Sequence, residues 1–351
     1  MRLAIVVPFF NVEKYIAEAV NSLKNQSYSD FVAYFVNDGS TDKSSEIVSR
    51  LIHDDPRFIL VEQENQGVSH ARNTALQKIY ERDDIDFIGF LDGDDTFSKD
   101  LFKEFVEHVD DTFDYCVFGM QSSYRSGGVP GGEVLIEHNQ VVDHDEILKH
   151  FWGIKELIAP KQLNQTHSQC LCNRFYAFQV IKGHFFDESM QLGEDQDLFI
   201  VLSPQLQKGL VLPYIGLNYR QRLSSACYSA KDGFSHAIPS LFYCFKKHLM
   251  KEMDKKEPNA IFVNGIVRHL LSQLLSTGDH IDWDGKDASV LLQQCRKEVL
   301  TLFRNTHKIL SWKQKRRFIK FFLPYPILRR YMKYRQARKG VWKIDKNDLF
   351  E

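Results

Sequence analysis

The first hundred residues alternate short apolar runs of strand type with segments whose apolar residues recur every three or four positions. The strand-like runs are residues 3–10, 31–36, 58–61 and 87–91, and they are rich in Val, Ile and Phe. Strand and helix in regular alternation predict an α/β fold, with a Rossmann-like, mostly parallel sheet flanked by helices. Sheets of this kind bind ligands beyond the carboxyl ends of their strands.

A polar cluster follows each of the four strand-like runs. Asn11 follows the first run, Asp38 the second, and Asn-Gln-Gly at 65–67 the third. The fourth run leads directly into Asp-Gly-Asp-Asp at 92–95. Because the carboxyl ends of neighbouring parallel strands lie at one edge of a sheet, we expect these clusters to form a single site.

The three carboxylates at the end of the fourth run repel one another unless something neutralises them. Mg²⁺ or Mn²⁺ suits Asp92 and Asp94, because these ions take a few carboxylate oxygens and complete their coordination with water and phosphate oxygens. This pattern favours a nucleotide-diphosphate site. A helix cap or an Asp-Gly turn is the alternative, since acidic residues favour both, and Asp95 is expected to support Asp94 or to cap the next helix.

Several protein classes are not expected from this sequence. No GxGxxG follows the first strand-like run and no GxxxxGK[ST] occurs, which argues against a Rossmann dehydrogenase and a P-loop NTPase. The 351 residues contain no long apolar run and begin without a cationic leader, so we expect neither secretion nor a membrane span. The six cysteines form no CxxC pair, which favours reduced thiols in a cytoplasmic protein.

The basic residues are concentrated near the end of the chain. Residues 304–343 contain fourteen Lys and Arg and no Asp or Glu, although the net charge of the whole chain is −1. Apolar and aromatic residues interleave with these cations, which favours binding to an anionic membrane surface. RNA binding and folding of the tail on the acidic remainder of the chain are the alternatives. No nucleic-acid module accompanies the tail, so a nucleic-acid partner is not expected.

Five motifs occur in a characteristic order. They are VVPFFN at 6–11, VNDGSTD at 36–42, NQGVSHARN at 65–73, LDGDD at 91–95 and GEDQD at 193–197. In order and spacing they resemble the family 2 glycosyltransferases of GT-A fold, a family that includes enzymes of bacterial envelope polysaccharide and lipopolysaccharide synthesis. The resemblance implies a GT-A domain at 1–230, followed by a helical region at 231–303 and a basic amphipathic tail at 304–351.

The resemblance also implies a UDP-sugar donor and assigns residues to it. Asp38 matches the position that hydrogen-bonds the uracil ring, and Pro8 and Asn11 lie beside it. Arg72 matches a position that reaches the diphosphate, where a guanidinium can bind phosphate oxygens in bidentate fashion.

The metal and the base follow from the two acidic motifs. Asp92 and Asp94 form the Asp-x-Asp (DXD) motif of the family, with Asp92 nearer the ribose and Asp94 on Mn²⁺ or Mg²⁺. Asp195 is implied to take the acceptor proton, with Glu194 as the fallback base or an orienting residue. A single in-line displacement with inversion needs no nucleophilic side chain. The structural alternative for both acids is a first helical turn, where the helix macrodipole favours negative charge.

Two stretches depart from the family pattern. Many relatives carry WNKLY ahead of the Glu-Asp motif, where this chain has CNRFY at 172–176, so its acceptor pocket is expected to differ. Some relatives place a metal-binding His after the Glu-Asp helix. This chain offers Arg220 and Arg222 there, and we expect one of them to bind the diphosphate from the other side.

Together these features predict an inverting hexosyltransferase that extends a lipid-linked or cell-envelope glycan, such as lipopolysaccharide or capsule, at the inner face of the cytoplasmic membrane. Two other classes are left open. A sugar nucleotidyltransferase would generally need a Gly-rich triphosphate loop near the first strand, and residues 8–11 (PFFN) do not form one. A non-catalytic, nucleotide-sugar-binding scaffold of a glycan-assembly complex would need no base.

Overall fold

The computed structural model describes residues 1–123, 138–152, 170–190, 192–220, 244–279, 287–324, 326–328, 330–331 and 334. These residues divide into two compact units. The first holds the described residues within Met1–Phe151 and Lys155–Arg222, and the second holds those within Trp152–Ile154 and Leu223–Leu349. The three-part division that the sequence predicts stays a prediction.

The first unit is built on a mixed sheet with nine strands in the described part of the chain. In chain order they are β1 (Leu3–Phe9), β2 (Phe31–Asp38), β3 (Phe58–Gln63), β4 (Phe87–Phe90), β5 (Thr96–Phe97), β6 (Tyr115–Ser123), β7 (Gln140–Asp143), β8 (Arg174–Ala177) and β9 (Lys208–Arg220). Their order in the sheet is β3-β2-β1-β4-β8-β6-β9-β5, and β7 also pairs with β9. Strands β1 to β4 pair in parallel, as do β6 and β9. The four predicted strand-like runs and the α/β class are confirmed.

Helices connect the strands of the first unit. They are α1 (Ile16–Lys24), α2 (Ser44–Ile52), α3 (Val68–Tyr80), α4 (Leu101–Val106), α5 (His144–Phe151), α6 (Phe178–Ile181) and α7 (Glu194–Leu202), and a 3₁₀ turn at Ser203–Gln205 follows α7. The predicted helical spacing is confirmed in α1, where Ile16, Ala19, Val20 and Leu23 are the buried residues. An apolar stripe of this kind packs a helix against the sheet.

Strands β1 and β2 are apolar along most of their length because both faces of the sheet are covered there. Every residue of β1 and every residue of β2 is buried, as expected for parallel strands covered on both sides. The polar side chains of this region therefore lie at the strand ends, where a close-packed core holds them in place.

The register of the strands brings their carboxyl ends to one edge. Phe9 pairs with Asn37, and Asp38 pairs with Gln63. The chain after β4 continues along β1, where Gly93 N donates a hydrogen bond to the carbonyl of Pro8 (3.2 Å). A Cβ atom at position 93 would lie 2.7 Å from the Cβ atom of Phe9, so only glycine allows the acidic turn to approach β1 this closely.

The second unit consists of helices in its described part. They are α8 (residues 244–253), α9 (Ala260–Asp279), α10 (Asp287–Thr306) and α11 (Trp312–Ile319), and a 3₁₀ turn at Lys320–Phe322 follows α11. The apolar residues of α9 from Phe262 to Leu271 are buried, so this face of the helix serves packing. Among the described helices, none combines the length and the apolar character that crossing a bilayer would require.

Candidate active site

Asp38 ends β2 and fastens the loop that precedes α3. Its Oδ1 accepts hydrogen bonds from Gln63 Nε2 (2.8 Å) and Gln66 N (2.9 Å), and its Oδ2 accepts one from Gly67 N (2.9 Å). The carboxylate is buried, and hydrogen-bond donors are the compensation that a buried carboxylate needs. Asp38 therefore sets the start of α3, while its contact with a uracil ring stays a prediction.

Asn11 joins the ends of β1 and β2. Its backbone is left-handed, with a φ of 49°, a conformation that Asn adopts more readily than most residues. Its Oδ1 accepts a hydrogen bond from Thr41 N (2.8 Å), and its own N–H donates to Ser40 Oγ (3.1 Å). Phe10, directly before it, is 46% exposed. Phe10 is not among the predicted site residues, although an aromatic residue at the carboxyl end of a buried strand is a usable signal.

Arg72 brings together two predicted acidic motifs that are far apart in the sequence. Its Nη2 lies 3.0 Å from Asp92 Oδ1, and its Nη1 lies 2.7 Å from Glu194 Oε1. The guanidinium is buried and stands over the ring of Phe186, 5.2 Å from the ring centroid. We call Arg72, Asp92 and Glu194 the ion triad. It connects α3, the turn after β4 and the start of α7.

The ion triad keeps Arg72 charged despite its burial. Burial by itself lowers the pKa of the Arg72 guanidinium, but the Asp92 and Glu194 carboxylates more than offset this effect and raise the pKa above its ordinary value. A buried charge is tolerated only when partners of this kind compensate it. Both Nη atoms of Arg72 are paired with carboxylates here. The predicted contact of Arg72 with the diphosphate stays a prediction.

Asn73, the neighbour of Arg72, fixes the backbone of Phe186, whose ring lies beneath the guanidinium. Its Oδ1 accepts a hydrogen bond from Phe186 N (2.8 Å), and its Nδ2 donates to Phe186 O (3.0 Å) and to Glu188 Oε1 (2.8 Å). The sequence analysis missed Phe186. No local pattern could have found it, because 113 residues separate it from Asn73.

Arg220, at the end of β9, lies against the acidic turn. Its backbone N–H donates to Asp95 Oδ1 (2.8 Å), and its Nε donates to the carbonyl of Asp94 (3.0 Å). Its Nη2 forms an ion pair of 2.5 Å with Glu18 of α1. Arg220 therefore lies beside the acidic turn, while its predicted contact with the diphosphate stays a prediction. Arg222 lies outside the described residues.

The acidic turn has the chemistry of a divalent-cation site. Asp92 and Asp94 are half-buried, and Asp95 is buried. Burial raises the pKa of the Asp95 carboxyl well above its ordinary value, and the nearby Asp94 and Asp92 carboxylates raise it further. Asp95 Oδ2 is buried and has no hydrogen-bond partner among the described residues. Carboxylate oxygens grouped at one turn are the ligands that Mg²⁺ and Mn²⁺ take, so these residues fit either ion.

Asp195 lies in the first turn of α7, beside the ion triad. The helix begins after Gly193, which has a φ of 85°, and Gln196 N donates to Asp195 Oδ1 (2.8 Å). Burial raises the pKa of the Asp195 carboxyl to about 7, and the Glu194 carboxylate adds to this rise, whereas Arg72 opposes it. A carboxyl group with a pKa near 7 can accept a proton at neutral pH.

The CNRFY stretch at 172–176, which departs from the family pattern, is buried. Asn173 Nδ2 donates to the carbonyl of Phe118 (3.0 Å), and Arg174 Nε donates to the hydroxyl of Tyr115 (2.7 Å). The stretch thus fixes β8 against β6. Burial keeps the pKa of Asp195 raised, and the cation of Arg174, like that of Arg72, partly opposes this rise.

Curated proteins with similar sequences are glycosyltransferases and teichoic acid proteins of bacteria. The "Uncharacterized glycosyltransferase EpsJ" of Bacillus subtilis (strain 168) is 37% identical over 154 residues, which cover 42% of this chain and 43% of EpsJ. The "Minor teichoic acid biosynthesis protein GgaB" of the same organism is 28% identical over 287 residues, which cover 79% of this chain and 29% of GgaB. The chain therefore spans less than half the length of each of these relatives.

Solved structures identify the fold. The crystal structure of S. aureus TarS 1-349 in complex with UDP-GlcNAc matches with a TM-score of 0.63 and 18% sequence identity, covering 97% of this chain and 92% of that one. At this identity the likeness concerns the fold, which is GT-A. The predicted GT-A fold is therefore confirmed.

The family is shown by a match that contains most of the site. The family model described as glycosyl transferase family 2 matches residues 4–185, which is more than half of the chain. This region includes Asp38, Arg72 and the Asp92–Asp95 turn. The chain belongs to glycosyl transferase family 2.

Proposed function

We propose that the chain transfers a hexose from a UDP-sugar to a hydroxyl group of a cell-envelope glycan and inverts the anomeric configuration. The observation that carries this proposal is the ion triad, in which Arg72 joins the Asp92 turn to the first residue of α7 at 3.0 and 2.7 Å. A sugar transferase needs its leaving-group site and its base close together, because both act on the same anomeric carbon. The UDP-GlcNAc complex of TarS supports a UDP-sugar donor.

Asp195 is the proposed base. The acceptor oxygen forms a bond to the anomeric carbon on the face opposite the diphosphate, the bond from that carbon to the diphosphate oxygen breaks, and the acceptor proton passes to the Asp195 carboxylate. A pKa of about 7 suits this step. Glu194 is paired with Arg72. In this role it orients α7 and compensates the charge of the buried guanidinium.

The acidic turn is the proposed place of the leaving diphosphate. Asp94 and Asp92 would hold Mn²⁺ or Mg²⁺, which when bound neutralises the charge that develops on the leaving group. Arg220 adds a cation beside the same turn. Arg72 keeps Asp92 oriented, and we propose that it also faces the diphosphate.

The nucleoside half of the donor is proposed to lie at the ends of β1 and β2. Asp38 and Asn11 supply hydrogen-bonding groups there. Pro8 lies beside them, and its carbonyl accepts a hydrogen bond from Gly93 N. The exposed ring of Phe10 offers a face on which a uracil ring can stack.

The acceptor is proposed to be a lipid-linked or envelope glycan at the inner face of the cytoplasmic membrane. The names of the relatives, which include a teichoic acid biosynthesis protein, favour a Gram-positive wall polymer over lipopolysaccharide. The basic stretch at 304–343 is proposed to hold the protein at the anionic membrane surface.

Isothermal titration of the purified chain with UDP-, GDP- and CMP-sugars, with and without Mn²⁺, tests the donor site. We expect one UDP-sugar to bind in a metal-dependent manner, and we expect Asp94→Ala to weaken this binding at least tenfold, because the metal loses a carboxylate ligand. Asp111→Asn, which removes an exposed carboxylate outside the site, should bind as the wild type does. Metal-independent binding would remove the proposed role of Asp94. A lack of binding to every sugar nucleotide would favour a non-catalytic scaffold.

A further inference from the structure

The apolar residues after α10 fall into two sets according to their exposure. Leu310, Phe318, Phe321 and Leu328 are buried. Trp312, Ile319, Phe322 and Ile327 are exposed by 73%, 58%, 44% and 54%. The sequence pattern alone does not separate the two sets, since both lie among the same lysines and arginines.

The exposed set lies on the outer side of an anchored element. Trp312, Arg316 and Ile319 follow one another at intervals of four and three residues, so they share one face of α11. The other side of the helix is packed, because Phe318 is buried with its ring 5.1 Å from that of Phe303 in α10. Outward faces of helices in water are normally polar, whereas this one presents Trp and Ile.

The turn after α11 is also anchored, and it continues the same arrangement. Arg296 of α10 donates from Nε to the carbonyl of Phe321 (2.9 Å) and from Nη2 to the carbonyl of Leu323 (2.6 Å). These two bonds fix the backbone on either side of Phe322, which remains exposed. We call Trp312, Arg316, Ile319, Phe322 and Ile327 the outer stripe.

The positive charge of the segment that contains the outer stripe indicates which kind of partner the stripe binds. The surrounding stretch at 304–343 carries fourteen cations and no acid, so a symmetric contact between two copies would set like charges against each other. Single-stranded nucleic acid is bound through stacked rings, and although Trp312 and Phe322 carry rings, the isoleucines that make up the other apolar half of the stripe do not. An anionic lipid surface satisfies both features, because its phosphates pair with the cations and its acyl region accepts Trp and Ile.

We propose that the outer stripe is a membrane-insertion face. Helix α11 lies parallel to an anionic bilayer, Trp312, Ile319, Phe322 and Ile327 enter the region between head groups and acyl chains, and Arg316 remains at the phosphates. This proposal rests on the proposed function in one respect, namely that the acceptor glycan is bound to the membrane. It deepens that function by naming the lipid class and the residues that make contact.

Flotation of the full chain with lipid vesicles tests this face directly. We expect binding to phosphatidylcholine vesicles that contain about 30% phosphatidylglycerol, weaker binding at high salt, and little binding to pure phosphatidylcholine. The double variant Trp312→Ser/Ile319→Ser should bind the anionic vesicles at least tenfold more weakly, because two inserting side chains are lost. Val141→Ser, which removes an exposed apolar residue from β7 in the first unit, is the matched control and should bind normally.

Fluorescence and hydrodynamics separate this proposal from other uses of the same surface. The difference between the emission spectra of the wild type and Trp312→Phe should shift to shorter wavelength when anionic vesicles are added. Unchanged vesicle binding by the double variant would overturn the proposal. A double variant that forms a smaller oligomer than the wild type would also overturn it, because the stripe would then serve self-association. A double variant that loses affinity for RNA but keeps its vesicle binding would overturn it as well.

The reaction and the membrane face are tested independently. Donor binding in the titration requires no lipid, and vesicle binding requires no sugar nucleotide. A chain that binds a UDP-sugar but no vesicle would overturn only the membrane face, and a chain that binds vesicles but no sugar nucleotide would overturn only the donor site.

Discussion

At the scale of single residues, the two neighbouring acids of α7 have different surroundings. The Glu194 carboxylate is paired with Arg72 at 2.7 Å. Burial and the charge of Glu194 raise the pKa of Asp195 to about 7. A carboxyl group with a pKa near 7 suits a general base, whereas Glu194 is occupied by its ion pair with Arg72, and this difference supports Asp195 rather than Glu194 as the base.

The pH dependence of transfer follows from the raised pKa of Asp195. The base must be deprotonated to accept a proton, so kcat/KM should rise with pH, with a midpoint near 7, and level off above it. Asp195→Asn should lower transfer about 100-fold or more and leave UDP-sugar binding unchanged. Initial rates from pH 5.5 to 8.5 and titration of the variant test both statements. An active Asp195→Asn enzyme would exclude Asp195 as the base.

Replacement of Arg72 should affect both stability and the titration of the base. Arg72→Gln leaves Asp92 and Glu194 without their cation, which should lower the free energy of unfolding by about 3 kcal/mol. It also removes a charge that lowers the pKa of Asp195, so the midpoint of the pH–rate profile should move above that of the wild type.

Urea unfolding and the pH–rate profile measure these two effects. Arg82→Gln is the matched control, because the Arg82–Asp84 pair is partly exposed and its loss should cost less than about 1 kcal/mol. An unfolding free energy equal to that of the wild type in Arg72→Gln would show that the ion triad does not stabilise the fold.

At the scale of secondary-structure elements, the alternation of apolar runs was sufficient to predict β1 to β4 and the helices between them. Each of these strands pairs with a neighbour in parallel, and β1, β2 and β4 are buried throughout because both faces of the sheet are covered there. The short strand β8 could not be predicted, since it has four residues and inserts in antiparallel orientation between β4 and β6. Its pairing depends on partners more than 50 residues away in the sequence.

The fit between the acidic turn and β1 can be tested at Gly93. Gly93→Ala places a Cβ atom 2.7 Å from the Cβ atom of Phe9, so the turn must move away from β1. We expect a loss of about 1–3 kcal/mol in unfolding free energy, together with loss of metal-dependent donor binding. Gly183→Ala is the control. It strains a backbone with a φ of 83° that has open space around it, so it should reduce stability and leave donor binding intact. Equal donor binding by the two variants would contradict the proposed place of the turn.

At the scale of the whole molecule, the structure brings residues of separate motifs together in a way that the motifs do not predict. Asp92, Arg72 and Glu194 were each expected in the cleft, and they are in contact. Their mutual ion pairing was not predicted, because a motif gives residue types and spacing but not the partner of a buried charge. The exposure of the outer stripe was likewise invisible in the sequence, where packed and exposed apolar residues alternate with the same cations.

The ion triad also implies an order in which the parts of the site form during synthesis on the ribosome. Arg72 and Asp92 are synthesised early, whereas Glu194 follows 122 residues after Arg72. Chains generally fold from the amino end as they emerge, so β1 to β4 can assemble while the buried guanidinium still has a single carboxylate partner. A nascent or interrupted chain that ends before α7 lacks both the second charge partner and the proposed base. Such a product contains the acidic turn and the ends of β1 and β2, but it lacks the residue that is proposed to start the transfer.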